Sequence, residues 1–168
     1  MSTKSLKSLS GFHQYYIDLI KTKDIITELK NQSDEVISFL KGMPEKKGDY
    51  AYQEGKWSIK EVVGHLADSE RVFAYRAMSF ARNDKNVLPG FEQDDWVKAA
   101  NFNNRTLAGL IEELRFVRAA NIAMFKSFNP EVIERDGIAN NNSYTVKSLL
   151  YIIAGHEKHH YNILLEKY

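Results

Sequence analysis

Two histidines four residues apart, His156 and His160, interrupt an apolar stripe formed by Leu149, Ile152, Ile153, Ile163 and Leu164. On a helix, positions i and i+4 differ by about 40° around the axis and lie one turn apart, so both imidazoles can reach one metal ion. A single histidine on an apolar face is usually a hydrogen-bonded core residue. A pair at chelating spacing is harder to explain that way, because each ring must be desolvated and satisfied separately. His65, on the shoulder of a second apolar stripe beside Val62 and Leu66, completes a candidate ligand set of His65, His156 and His160. Three neutral imidazoles leave a tetrahedral metal with one open position, the pattern of catalytic rather than structural sites. Such a position would activate a bound thiol or water for attack on an electrophilic substrate near neutral pH. Two other readings compete: a non-catalytic bundle whose metal serves stability or ligand binding, and a bundle with buried histidines and no metal.

Two sharper motifs use the same residues. His156-Glu157-Lys158-His159-His160 matches the H-E-x-x-H pattern of zinc proteases, with Glu157 as the base. Those enzymes take a third ligand downstream, and the eight residues after His160 contain no histidine or aspartate. The protease reading is rejected, although Glu157 stays a candidate proton acceptor. A ferritin-like di-iron site needs two E-x-x-H motifs, and only Glu157 with His160 fits. His159 lies at the edge of the buried face, as a neighbour of the ligands or a solvent-facing residue, and His13 reads as a surface residue.

The elements that must position these side chains are helical. Prolines occur only at 44, 89 and 130, each between strongly patterned segments. The first long helix is expected over about Asp24 to Lys41, with Phe12 to Ile20 as a short lead-in. The second begins at a Ser58–Glu61 capping box, stapled by Trp57 and Val62, and runs to about Arg82. The third spans roughly Asn104 to Phe128. The fourth starts after Ser143 or Thr145 and continues to about Glu166, and no period-two run competes with these helices. Asn83 to Asn103, about twenty residues, can travel back along the bundle, with Asp94 to Ala100 as a short helix within it. The expectation is one all-α domain over residues 1–168, a four-helix bundle of up-down-down-up topology with a long crossover between helices two and three. His65 then lies about 10 Å inside the start of its helix and His160 about 9 Å from the end of its own, which puts them in one layer. The Met43–Trp57 connection and the end of the crossover reach the same end, making Trp57, Trp96, Asn101, Asn103 and Arg105 rim candidates.

Trp57-Ser58-Ile59-Lys60-Glu61-Val62-Val63-Gly64-His65-Leu66-Ala67-Asp68-Ser69-Glu70, followed by His156-x-x-x-His160, resembles the DinB/YfiT-like family from about Asp24 to the end. Leu88 to Trp96 is similar to that family's crossover. The resemblance implies an up-down-down-up bundle, nickel or zinc on His65, His156 and His160, and frequent homodimers. It also implies a metal-dependent hydrolase or a transferase or isomerase using a low-molecular-weight thiol such as bacillithiol, mycothiol or glutathione.

Composition narrows the remaining classes. The chain has 168 residues, enough to bury a core unaided, and no cysteine, which excludes a thiolate metal site, an Fe–S cluster and a cysteine nucleophile. A thiol would have to come as cosubstrate. Net charge is +1 with both signs mixed along the chain, which argues against nucleic acid as a partner. The absence of a signal-like start or a long apolar run points to a cytoplasmic protein without membrane contact, acting on a small-molecule substrate.

Overall fold

The computed structural model describes residues 11–168. Helix α1 (Gly11–Asp18) leads into α2 (Ile25–Lys41), which Asp24 caps by accepting from the Thr27 amide at 3.1 Å. Helix α3 (Ile59–Ala81) starts at the expected capping box: Ser58 Oγ accepts from the Glu61 amide and Glu61 accepts from the Ser58 amide. The crossover carries α4 (Gln93–Ala100), and α5 (Leu107–Phe125) starts three residues later than expected, because Thr106 caps it. The one-turn α6 (Pro130–Ile133) follows, and α7 (Val146–Lys167) begins at Thr145, which caps it in place of Ser143.

Four of these helices form the bundle. Helix α2 packs on α5 and α7, and α3 packs on α7 and α5. Hydrogen bonds from Tyr151 to Thr22 and from Gln32 to Glu157 show α2 and α7 running parallel. The Ser58–Asn103 hydrogen bond at their starts, the Glu70–Arg118 pair midway and the Arg82 guanidinium over the Phe128 ring at their ends show the same for α3 and α5. The up-down-down-up order follows, with α3 antiparallel to α7 and the crossover returning the chain to start α5 beside the start of α3. The apolar core falls into two clusters. One is built around Leu29, Phe80, Phe125 and Leu149, the other around Leu40, Ile59, Leu66, Leu110 and Leu164. Between them lies a layer of buried polar side chains, including Gln32, His65, Ser69, Glu70, Arg118, His156 and Glu157.

One feature departs from the all-helical expectation. β1 (Asp136–Ala139) and β2 (Asn142–Thr145) form an antiparallel hairpin with Ala139 opposite Asn142. Its turn residues Asn140 and Asn141 have φ of 47° and 58°, and asparagine tolerates that left-handed region better than most residues. The Leu88 amide donates to the Ile138 carbonyl and the Asn140 amide to the Leu88 carbonyl, tying the crossover to the hairpin. The asparagine run was the available signal, but four-residue strands are too short for a period-two pattern to stand out.

Candidate metal centre

Helices α3 and α7 bring the three histidines together in the polar layer. His65 and His156 are buried and His160 is half-buried. The Nε2 atoms of His65 and His156 stand 3.1 Å apart, and one ring nitrogen from each histidine lies within 4.8 Å of the others. Ring centroids are separated by 5.0, 5.0 and 4.6 Å. In a tetrahedral zinc site with bonds of about 2.0–2.1 Å, ligand nitrogens stand about 3.3 Å apart; the His65–His156 pair is near that spacing, and the third nitrogen lies within 4.8 Å of both, in a group that could hold one ion. The Ser69 hydroxyl, one turn after His65, lies 3.3 Å from His65 Nδ1 and 3.4 Å from Nε2; in the tautomer protonated at Nδ1 it can accept that proton and leave Nε2 with its lone pair free.

Electrostatics point the same way. Burial depresses the His65 pKa to about 4. Burial, with smaller contributions from His65 and His159, depresses that of His160 to about 3. His156 is also held well below its ordinary value, by burial first and then by the neighbouring rings. All three are therefore neutral at pH 7, so a metal would not have to displace protons to bind. No acidic side chain joins the cluster among the described residues, so nitrogen donors alone face one another, an arrangement suited to zinc, nickel, copper or iron.

Two cavities reach the cluster. One, of about 310 Å³, touches His160 and is lined by Trp57, Tyr52, Lys56 and Tyr168. The other, of about 300 Å³, touches His156 and is lined by His13, Tyr16, Ser69, Phe73 and Arg76. Asp94 borders both.

Of the expected rim residues, only Trp57 lines either cavity; its ring centroid is 4.6 Å from that of His65. Trp96 packs on Phe91 beside a separate apolar groove. Asn101 ends α4 in a left-handed conformation, Asn103 accepts from Ser58 Oγ at 2.7 Å, and Arg105 pairs with Glu113. Glu157 is no proton acceptor at this centre. It points away from the histidines, accepting from Gln32 at 2.6 Å and from Arg118 at 3.0 Å. His159 sits outside the cluster against Tyr15 and Tyr16. His13 is half-buried rather than a surface residue, with Tyr144 Oη 3.2 Å from its Nδ1. Sequence reading missed Ser69, Phe73 and Arg76, although they follow His65 by 4, 8 and 11 residues and so share its helix face.

Residues 28–164 match the model of the DinB superfamily, and the chain belongs to that family. A protein of Oceanobacillus iheyensis named "Putative metal-dependent hydrolase" is 26% identical over 111 residues, covering 65% of this chain and 63% of the relative. This chain thus spans less than two thirds of that relative's length. A second O. iheyensis protein of the same description is 26% identical over 147 residues, covering 83% of each chain. Among solved structures, YfiT from Bacillus subtilis, described as "a probable metal-dependent hydrolase with an unusual four-helix bundle topology", superposes with a TM-score of 0.69. It shares 17% identity, over 95% of this chain and 88% of that one. A mycothiol-dependent maleylpyruvate isomerase superposes with a TM-score of 0.71 at 9% identity, over 87% of this chain and 61% of that one. At those identities the likeness establishes the fold alone.

Proposed function

We propose that His65, His156 and His160 hold one divalent transition-metal ion, nickel or zinc, and that the chain is a metal-dependent enzyme acting on a small molecule. The observation carrying this reading is the convergence of three neutral, largely buried imidazoles, with one cavity touching His160 and another touching His156. Relatives named as metal-dependent hydrolases support the class. A metal ion held by these histidines would supply Lewis acidity that lowers the pKa of a bound water or thiol. The chain's own residues do the positioning. Ser69 orients His65, and Trp57, Tyr16 and Phe73 wall the histidines with aromatic surface that restricts water.

Within this class a thiol-dependent S-transferase has one observation in its favour. Cavities on the His160 and His156 sides offer separate places for two reactants, and a chain without cysteine must take its thiol from solution as a low-molecular-weight cosubstrate. Hydrolysis needs only one of them. A cytoplasmic homodimer without nucleic-acid or membrane partners completes the proposal; no described helix is long and apolar enough to cross a membrane.

Elemental analysis of untagged wild-type protein beside a His160→Ala variant tests the site. About one equivalent of metal in the wild type and its loss in the variant, with unchanged helical circular dichroism, is the expected result. Protein that takes up neither nickel nor zinc would return the histidines to core packing and remove the enzymatic reading.

A further inference from the structure

Arg76 is a buried cation without an anion. Its side chain belongs to α3, is only 3% exposed, and lines the same cavity as His156. Its Nη2 donates to the Pro89 carbonyl at 2.9 Å, and no carboxylate among the described residues lies within ion-pairing distance. The other deeply buried arginine, Arg118, has two such carboxylates. A guanidinium set in a cavity wall with no carboxylate in ion-pairing distance leaves its fork available to an anion that enters the cavity. The Phe73 ring links it to the metal centre, standing 5.7 Å from the Arg76 guanidinium carbon on one side and 5.9 Å from the His156 ring on the other. Exposed Glu92 and Asp94 also line this cavity, with Gln93, Asn140 and His13 as the neutral polar groups. Two acidic side chains disfavour a dianion such as a phosphate and favour a singly charged group held by the arginine fork.

We propose that Arg76 binds a carboxylate of the substrate and thereby sets its orientation toward His156. This deepens the reading of the three-histidine centre and rests on it for the placement of the reacting end. The class of substrate is a small carboxylic acid whose reactive atom lies a short chain length from the carboxylate.

The test titrates zinc-loaded protein calorimetrically with 3-mercaptopropionate and with its methyl ester, in the wild type and in Arg76→Gln. Glutamine keeps a polar amide on the same stem but carries no charge. The wild type should prefer the acid about tenfold, and the variant should bind both alike with unchanged zinc content and melting temperature. Equal affinities in the wild type, or a preference that survives in Arg76→Gln, would overturn the assignment. Tighter binding of 3-mercaptopropylphosphonate than of the carboxylate would overturn the choice of a monoanion. Butyrate against butyramide on metal-stripped protein separates the two readings. A preference there that needs Arg76, in protein that binds no zinc, keeps the carboxylate site and rejects the metal. Zinc uptake with no acid preference in either titration does the reverse.

Discussion

His156 and Glu157 are neighbours on α7, yet they belong to two buried polar clusters on different sides of that helix. His156 meets His65 of α3 and Tyr16 of α1, next to a cavity. Glu157 meets Arg118 of α5 and Gln32 of α2, and Arg118 in turn binds both oxygens of Glu70 at 2.8 and 3.0 Å. The second cluster supplies counter-charges from within, two carboxylates to one guanidinium, and leaves Gln32 Oε1 and Arg118 Nη2 without hydrogen-bond partners among the described residues. Burial alone would make Arg118 easier to deprotonate, but the flanking Glu157 and Glu70 reverse that, and Asn121 and the Leu29 carbonyl add further bonds. Burial raises the Glu157 pKa, and Arg118 opposes that rise. The histidine cluster has no internal answer of this kind, since it gathers lone pairs without a cation. Equal burial thus has different meanings. A closed, charge-paired network ties helices together, and an open one leaves its lone pairs facing one another.

The largest test of that contrast is Arg118→Met, which would leave Glu70 and Glu157 without a counter-ion. Urea unfolding should show a loss of about 3–5 kcal/mol, with metal stoichiometry retained in the folded fraction. Metal loss at unchanged stability would mean the two clusters are one. A smaller effect comes from pH. Histidines of the unfolded chain titrate near 6.5, whereas His65 and His160 are held at about 4 and about 3. Between those values the unfolded state binds more protons, so metal-free protein should lose stability as pH falls from about 6.5 to 4. Each such histidine contributes about 1.4 kcal/mol per pH unit. His65→Phe should flatten the profile in urea melts; an unchanged slope would show that this ring is not held neutral. The smallest effect is expected from Ser69→Ala, which removes the hydroxyl beside His65 Nδ1. Competition with a chromophoric chelator should show metal affinity lowered about tenfold, with little change in melting temperature. A variant equal to the wild type would leave Ser69 as packing alone.

The open cluster was legible in the sequence and the closed one was not, for a physical reason. His156 and His160 announce themselves by i,i+4 spacing, and His65 falls level with them once the crossover makes α3 and α5 parallel. Arg118 lies 48 residues from Glu70 and 39 from Glu157, on three different helices. No local rule pairs them, and Arg118 occupies a helix face read from its apolar residues alone. The capping box at Ser58 and the crossover helix were likewise written locally. The hairpin, and the placement of His13 at the centre's edge, depend on contacts between α1, α3, β2 and the crossover that a one-dimensional pattern does not contain.

Gly155, immediately before a candidate ligand, has a consequence for how such a centre can diversify. A β-carbon there would collide with the Tyr16 backbone carbonyl, so α1 is seated against α7 backbone to backbone. Helix α1 carries none of the three histidines, and neither do the crossover and the hairpin, yet all three contribute to the cavity beside His156. Two helices thus carry the histidines, while three segments without any of them complete the wall of the adjoining cavity, so sequence changes in α1, the crossover or the hairpin can reshape that wall without touching a candidate ligand.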